Sequence, residues 1–211
     1  MDRKQFIDQL AAEPRPAKRL STGVAIALWL AASCTFVVGA TLATGDLRPG
    51  VGEQLRDFPR FAAECALGLV AGIFVFRTGL LLSVPGRLHW RRAVPLALAL
   101  IALWIGAYVY GLWSPALEPS MVGKRPNCFG ETFLFSSFPL ALGLLLVARR
   151  APLQRAWVGA LVGAASTSLP ALMMQVACMY DPRHILQFHL LPILIVGLVG
   201  GAIGSLVLRR V

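Results

Sequence analysis

The sequence predicts an all-α membrane protein, a bundle of six transmembrane helices with both termini in the cytoplasm. Three observations predict it. The 211 residues are 57% hydrophobic and 14% charged, whereas a soluble domain carries roughly 45–50% apolar and 25% charged residues. Mean hydropathy is +0.69, and the apolar residues gather into six runs near the ~20 residues that a bilayer core requires. The Lys and Arg residues sort to one side of those runs, as the positive-inside rule demands. This composition excludes a large soluble catalytic domain, and four cysteines are too sparse for a small disulfide scaffold.

A tail of residues 1–22 comes first. From Asp2 to Glu13 it can form about three helical turns with Phe6, Ile7, Leu10 and Ala11 on one face. Asp2 can cap this helix, and Pro14 with Pro16 ends it. So short a helix is marginal alone in water, so it needs the membrane surface or a groove on another protein.

The spans follow as Gly23–Ala43, Phe61–Leu82, Ala93–Trp113, Thr132–Ala148, Ala156–Ala177 and Gln187–Leu208. Residues 23–208 thus form one transmembrane unit, followed by a short basic end at 209–211. Ala31-Ala32-Ser33-Cys34 faintly resembles a lipoprotein cleavage box. Apolar character continues to Ala43, however, so the first run reads as a signal anchor. Pro49-Gly50, Pro85-Gly86, Pro115, Pro152 and Pro182 punctuate the connections. Pro139, Pro170 and Pro192 lie inside spans four, five and six, while the first three spans read as free of interior proline. The C-terminal half is then the more deformable. Small-xxx-small spacings such as Gly159/Gly163 and Gly200/Gly204 predict close helix packing.

With the N-terminus inside, thirteen of the twenty cations face the cytoplasm: Arg3, Lys4, Arg15, Lys18, Arg19, Arg87, Arg91, Arg92, Arg149, Arg150, Arg155, Arg209 and Arg210. The outer loops hold six, namely Arg48, Arg56, Arg60, Lys124, Arg125 and Arg183. Arg77 snorkels from the second span. The pI near 10.5 therefore reports topology, and no direct nucleic-acid binding is expected.

No metalloprotease, nucleophile-elbow or phosphate-loop signature is present, so the chain does not read as an enzyme. Glu64 and Glu131 lie near outer span ends, shallow enough to reach interfacial water. A transporter reading lacks an acid at mid-depth, and a membrane thiol oxidoreductase would favour a Cys-x-x-Cys pair. Cys34 and Cys65 read as small buried hydrophobes. Cys128 and Cys178 differ, because both sit at the outer membrane boundary, where two thiols can meet each other or bind metal together. A static disulfide and two unpaired thiols are the competing readings. Cys128 precedes a helix and follows Lys124 and Arg125, which favours thiolate, so it is expected to be the attacking thiol. Cys178 closes a helix at its negative end and is expected to resolve. His184 and His189, with Asp181, lie on the same face. Two thiolates and two imidazoles could hold Zn²⁺ or another soft or borderline cation, although Cys178-x5-His184 is not a standard zinc spacing. A boundary histidine is more often a simple interfacial group, as His89 beside Trp90 is expected to be.

Together these pieces resemble one family over the whole chain, the NrsF-type anti-sigma factors. The likeness rests on Phe-Ile-Asp-Gln-Leu-Ala in the tail and Leu-Ser-Val-Pro-Gly at 82–86. It rests also on the Cys128 segment running into Phe-Pro-Leu-Ala-Leu at 138–142, and on Cys178 with Asp181-Pro182 and Phe188-His189. The resemblance implies a six-span protein of the bacterial inner membrane. Its cytoplasmic tail, around Phe6, Ile7 and Leu10, would hold an extracytoplasmic-function (ECF) sigma factor. It further implies that Cys128 and Cys178 are the sensing thiols for oxidant or metal stress. Phe188-His189 departs from the family's Trp-His pair, which leaves the role of His189 open.

Overall fold

Ser21 opens the first helix: its Oγ accepts the Val24 N–H at 3.2 Å, satisfying one of the donors that a helix start leaves orphaned. The structure is a computed structural model and describes residues 2, 5, 20–150 and 152–208. Phe6, Ile7, Leu10 and the basic end 209–211 lie outside the described residues. The helices are α1 (Thr22–Thr44), α2 (Val51–Asp57), α3 (Pro59–Leu82), α4 (Trp90–Gly111), α5 (Cys128–Phe135), α6 (Ser137–Ala148), α7 (Arg155–Ala177), α8 (Pro182–His184) and α9 (Leu191–Val207), with a π-helical turn at Ile185–Leu190 between the last two. No strand occurs among the described residues.

Six helical stretches are long and apolar enough to cross a membrane, one for each expected run. The third, fourth and sixth start earlier than hydropathy indicates, at Trp90, Cys128 and Pro182. Hydropathy finds the apolar centre of a span, whereas helical hydrogen bonding runs on into its polar ends. The early start at Trp90 corrects one expectation, because Pro95, in the first turn of the expected run Ala93–Trp113, lies beyond the first turn of α4. Interior proline is therefore not confined to the C-terminal half.

Two of the three remaining prolines interrupt the regular α-helix. Pro139 cannot donate to the Phe135 carbonyl, and span four breaks between α5 and α6 at Ser136. Pro192 cannot donate to Phe188, and the π-helical turn immediately precedes it. Pro170 leaves α7 continuous.

The spans alternate in direction. The connections 45–58, 112–127 and 178–181 share one end; 83–89 and 149–154 share the other, together with Leu20. Helix α7 is the centre of the bundle, with 72% of its most apolar stretch buried. It packs against α9 through glycines: a Cβ on Gly159 would collide with the Gly200 carbonyl oxygen, and one on Gly163 with that of Val196. The small-residue spacing thus does what the sequence predicts. Trp29 ties α1 to the rest, stacking on Phe76 at 3.9 Å and donating its indole N–H to the Pro139 carbonyl at 3.0 Å. At the Leu20 end, Arg150 donates to the Leu20 carbonyl at 2.9 Å, joining the end of span four to the start of span one.

Candidate thiol–imidazole site

Cys128 begins α5, and Cys178 follows the last residue of α7 in an extended conformation. Both are buried, and their sulfurs approach to 2.7 Å. His184 ends α8, and its Nε2 lies 3.5 Å from the Cys178 sulfur. His189 sits within the π-helical turn at 0% exposure, with its ring edge-on to that of His184 at 5.1 Å. Neither ring nitrogen of His189 meets hydrogen-bonding geometry with a partner, and the Cys178 thiol is the polar group that its ring interacts with.

The π turn explains why both histidines reach one place. In an α-helix, positions i and i+5 point about 140° apart at 100° per residue. A π turn adds a residue to the loop and closes i onto i+5, and His184 and His189 stand in that relation. The ligand atoms of Cys128, Cys178, His184 and His189 all lie within 4.8 Å of one another, so this quartet could hold a metal ion. Asp181 is outside the quartet. Its carboxylate accepts the Arg183 N–H at 3.1 Å and caps α8.

The charged groups around the two thiols are arranged differently from what their order in the sequence indicates. Arg125, expected to favour thiolate at Cys128, is paired with Glu131 at 2.8 Å and donates to Thr41 and Thr44 at the end of α1 and to the Asp46 carbonyl just after it. Cys178 is the thiol held well below its ordinary range, chiefly by the Cys128 thiol and then by His184, against the opposing effect of burial. Cys128 has the better access, because it lines a cavity of about 330 Å³ with Lys124, Asn127, Gly130, His184 and Phe188.

Several supporting residues carry no sequence signal. Arg48 is 3% exposed and donates to the Cys178 carbonyl at 2.8 Å, while its own N–H bonds to the Val176 carbonyl at 3.3 Å. Its guanidinium lies over the Phe61 ring at 5.2 Å, and burial lowers its pKa. Tyr180 accepts the Ala116 N–H at 2.9 Å, and burial pushes its phenol up to about 12, so it remains a neutral hydrogen-bonding group. These contacts fix the chain that leaves α7 and so fix Cys178. Long loops folding across the bundle end bring them in, and no local pattern announces that. Glu64 is more buried than its shallow position implies, at 4% exposure, and lies 3.3 Å from Arg60. Cys34 and Cys65 line an apolar recess of about 320 Å³ away from the quartet, with Val37, Leu69, Leu169 and Met173.

Six helices long and apolar enough to cross a membrane, with a buried thiol–imidazole cluster at one end, describe a membrane protein with a built-in chemical site. The family model "negative regulator of sigma F" matches residues 10–209, and the chain belongs to that family. This is a family of regulators rather than a class of enzymes, and its name makes a sigma factor the partner. No curated protein and no solved structure matches the chain.

Proposed function

We propose that the protein is an anti-sigma factor of the bacterial inner membrane that holds an ECF sigma factor through its cytoplasmic N-terminal tail. Phe6, Ile7 and Leu10 are the anchors. Oxidation of Cys128 and Cys178, or metal stress acting on them, changes the outer ends of spans four to six and releases sigma. The 2.7 Å approach of the two sulfurs carries this reading. Two thiols that close can be joined by loss of two protons and two electrons with little backbone movement. They also stand at the end of the bundle opposite Leu20, where the tail begins.

The test uses the full chain co-expressed with its sigma factor. C128S/C178S should keep sigma bound yet abolish the response to peroxide and to soft metal ions. A double variant that still responds to both removes the sensing assignment. In the tail, F6A/L10A should weaken sigma capture by tenfold or more, since each buried apolar side chain contributes about 1.5–3 kcal/mol. Undiminished capture removes the tail as the sigma-binding segment.

A further inference from the structure

We propose that Cys128, Cys178, His184 and His189 form a complete four-ligand site for a Zn²⁺-class cation, and that the zinc-bound and disulfide forms are the two exclusive states of the switch. The inference rests on the reading of Cys128 and Cys178 as the sensing pair, and it names the resident ligand.

Four observations support it. The donor set is two sulfurs and two imidazoles, the set of closed structural zinc sites, and all four ligand atoms lie within 4.8 Å of one another. With Zn–S near 2.3 Å and Zn–N near 2.0–2.1 Å, a tetrahedral site needs an S–N edge of about 3.5 Å and an S–S edge of about 3.8 Å. The Cys178 sulfur and His184 Nε2 already stand 3.5 Å apart. The sulfurs, at 2.7 Å, must part by about 1 Å to reach the zinc edge.

His189 supplies the independent sign of a ligand. A fully buried imidazole with neither nitrogen in hydrogen-bonding geometry and only the Cys178 thiol as polar company leaves polar groups poorly satisfied, and such groups in a native structure require an explanation. A metal bond through one nitrogen gives one. The π turn points the same way, because it places His184 and His189 together in a span where an α-helix would separate them. Charge is the fourth consideration. Two thiolates and two neutral imidazoles around a dication sum to zero, the balance that burial at a membrane boundary favours. Asp181 would add an uncompensated negative charge, and its carboxylate is already used to cap α8.

The two states exclude each other chemically. In the zinc form both sulfurs are thiolates bound to the ion. Hydrogen peroxide takes two electrons from them: the O–O bond breaks, an S–S bond forms, two protons from solvent complete two water molecules, and Zn²⁺ leaves. The S–S distance then changes from about 3.8 Å to about 2.05 Å, drawing the start of α5 toward the end of α7.

The test uses the purified full chain in detergent, reduced and stripped of metal. Zn²⁺ should bind once per chain with Kd below about 1 µM, and Co²⁺ should give the intense spectrum of a tetrahedral thiolate site. H184N and H189N should each weaken Zn²⁺ at least about tenfold, while D181N leaves it unchanged. Peroxide should release one zinc for each disulfide formed. Because a variant can lose zinc by misfolding, the wild-type chain is also labelled with maleimide. Zinc should slow labelling of both Cys128 and Cys178 about tenfold. Zinc binding unchanged in both histidine variants, no protection by zinc, or disulfide formation without zinc release each overturns the proposal. Sigma capture is read separately, so failure of the zinc site and failure of the anti-sigma reading remain distinguishable.

Discussion

Cys178 owes its charge preference to residues outside its own helix: Cys128, fifty positions earlier, and His184 across the turn that follows. The consequence for stability has a definite sign. A thiol whose folded pKa is depressed contributes stabilisation that is fully present above the unfolded thiol value near 8.5 and is lost as pH falls toward the folded value. Thermal unfolding of the reduced, metal-free protein should therefore show Tm rising from about pH 6 to about pH 8.5. C178S should flatten that rise. A wild-type Tm that falls over the same interval would place the charge elsewhere. The depth of both thiols was legible in the sequence, because depth is counted along a span from hydropathy alone. Their contact was not. It depends on how spans four and five rotate about their axes and on Arg48 crossing the bundle end to hold the Cys178 carbonyl. For the same reason the sequence places Arg125 beside Cys128 but does not show Arg125 turned to Glu131.

At the scale of elements, spans five and six act as one unit because their backbones touch. Glycine is required where a Cβ would meet a carbonyl oxygen, as at Gly159 and Gly163, and not where the helix faces open space, as at Gly106. Gly163→Leu should push α9 away from α7, destabilising by about 1–3 kcal/mol or more. It should also part the histidines from Cys178 and slow disulfide formation. Gly106→Leu should be tolerated, since nothing lies within 4 Å of the added Cβ and leucine is the better helix former. Equal losses for the two variants would mean that the glycine seam does not hold the site together. The seam was readable as spacing, whereas the π turn was not. A hydropathy run looks the same for either helix type, and only Pro192, which denies Phe188 its usual donor, hints that the ladder changes register there.

At the scale of the molecule, the anti-sigma reading requires that a change of about 1.7 Å between the two sulfurs alter the tail at the far end. Span four offers a physical connection. It starts at Cys128, bends at Ser136 ahead of Pro139, and ends beside Arg150, whose guanidinium donates to the Leu20 carbonyl at 2.9 Å. Leu20 is where the described bundle meets the tail. Moving sigma from nearly all bound to nearly all free takes about 5.5 kcal/mol of differential affinity. A hydrogen bond from a charged donor contributes about 1.5–3 kcal/mol. Arg150 can therefore carry a substantial share of the coupling, but not all of it. Arg150→Met should leave peroxide-driven disulfide formation at its wild-type rate, as judged by thiol labelling, while sigma release falls several-fold in the same samples. Arg150→Lys, which keeps a charged donor, should recover part of the response. If Arg150→Met releases sigma as fully as wild type once the disulfide has formed, the signal does not pass through the end of span four, and the path must lie in α7 and α9 instead.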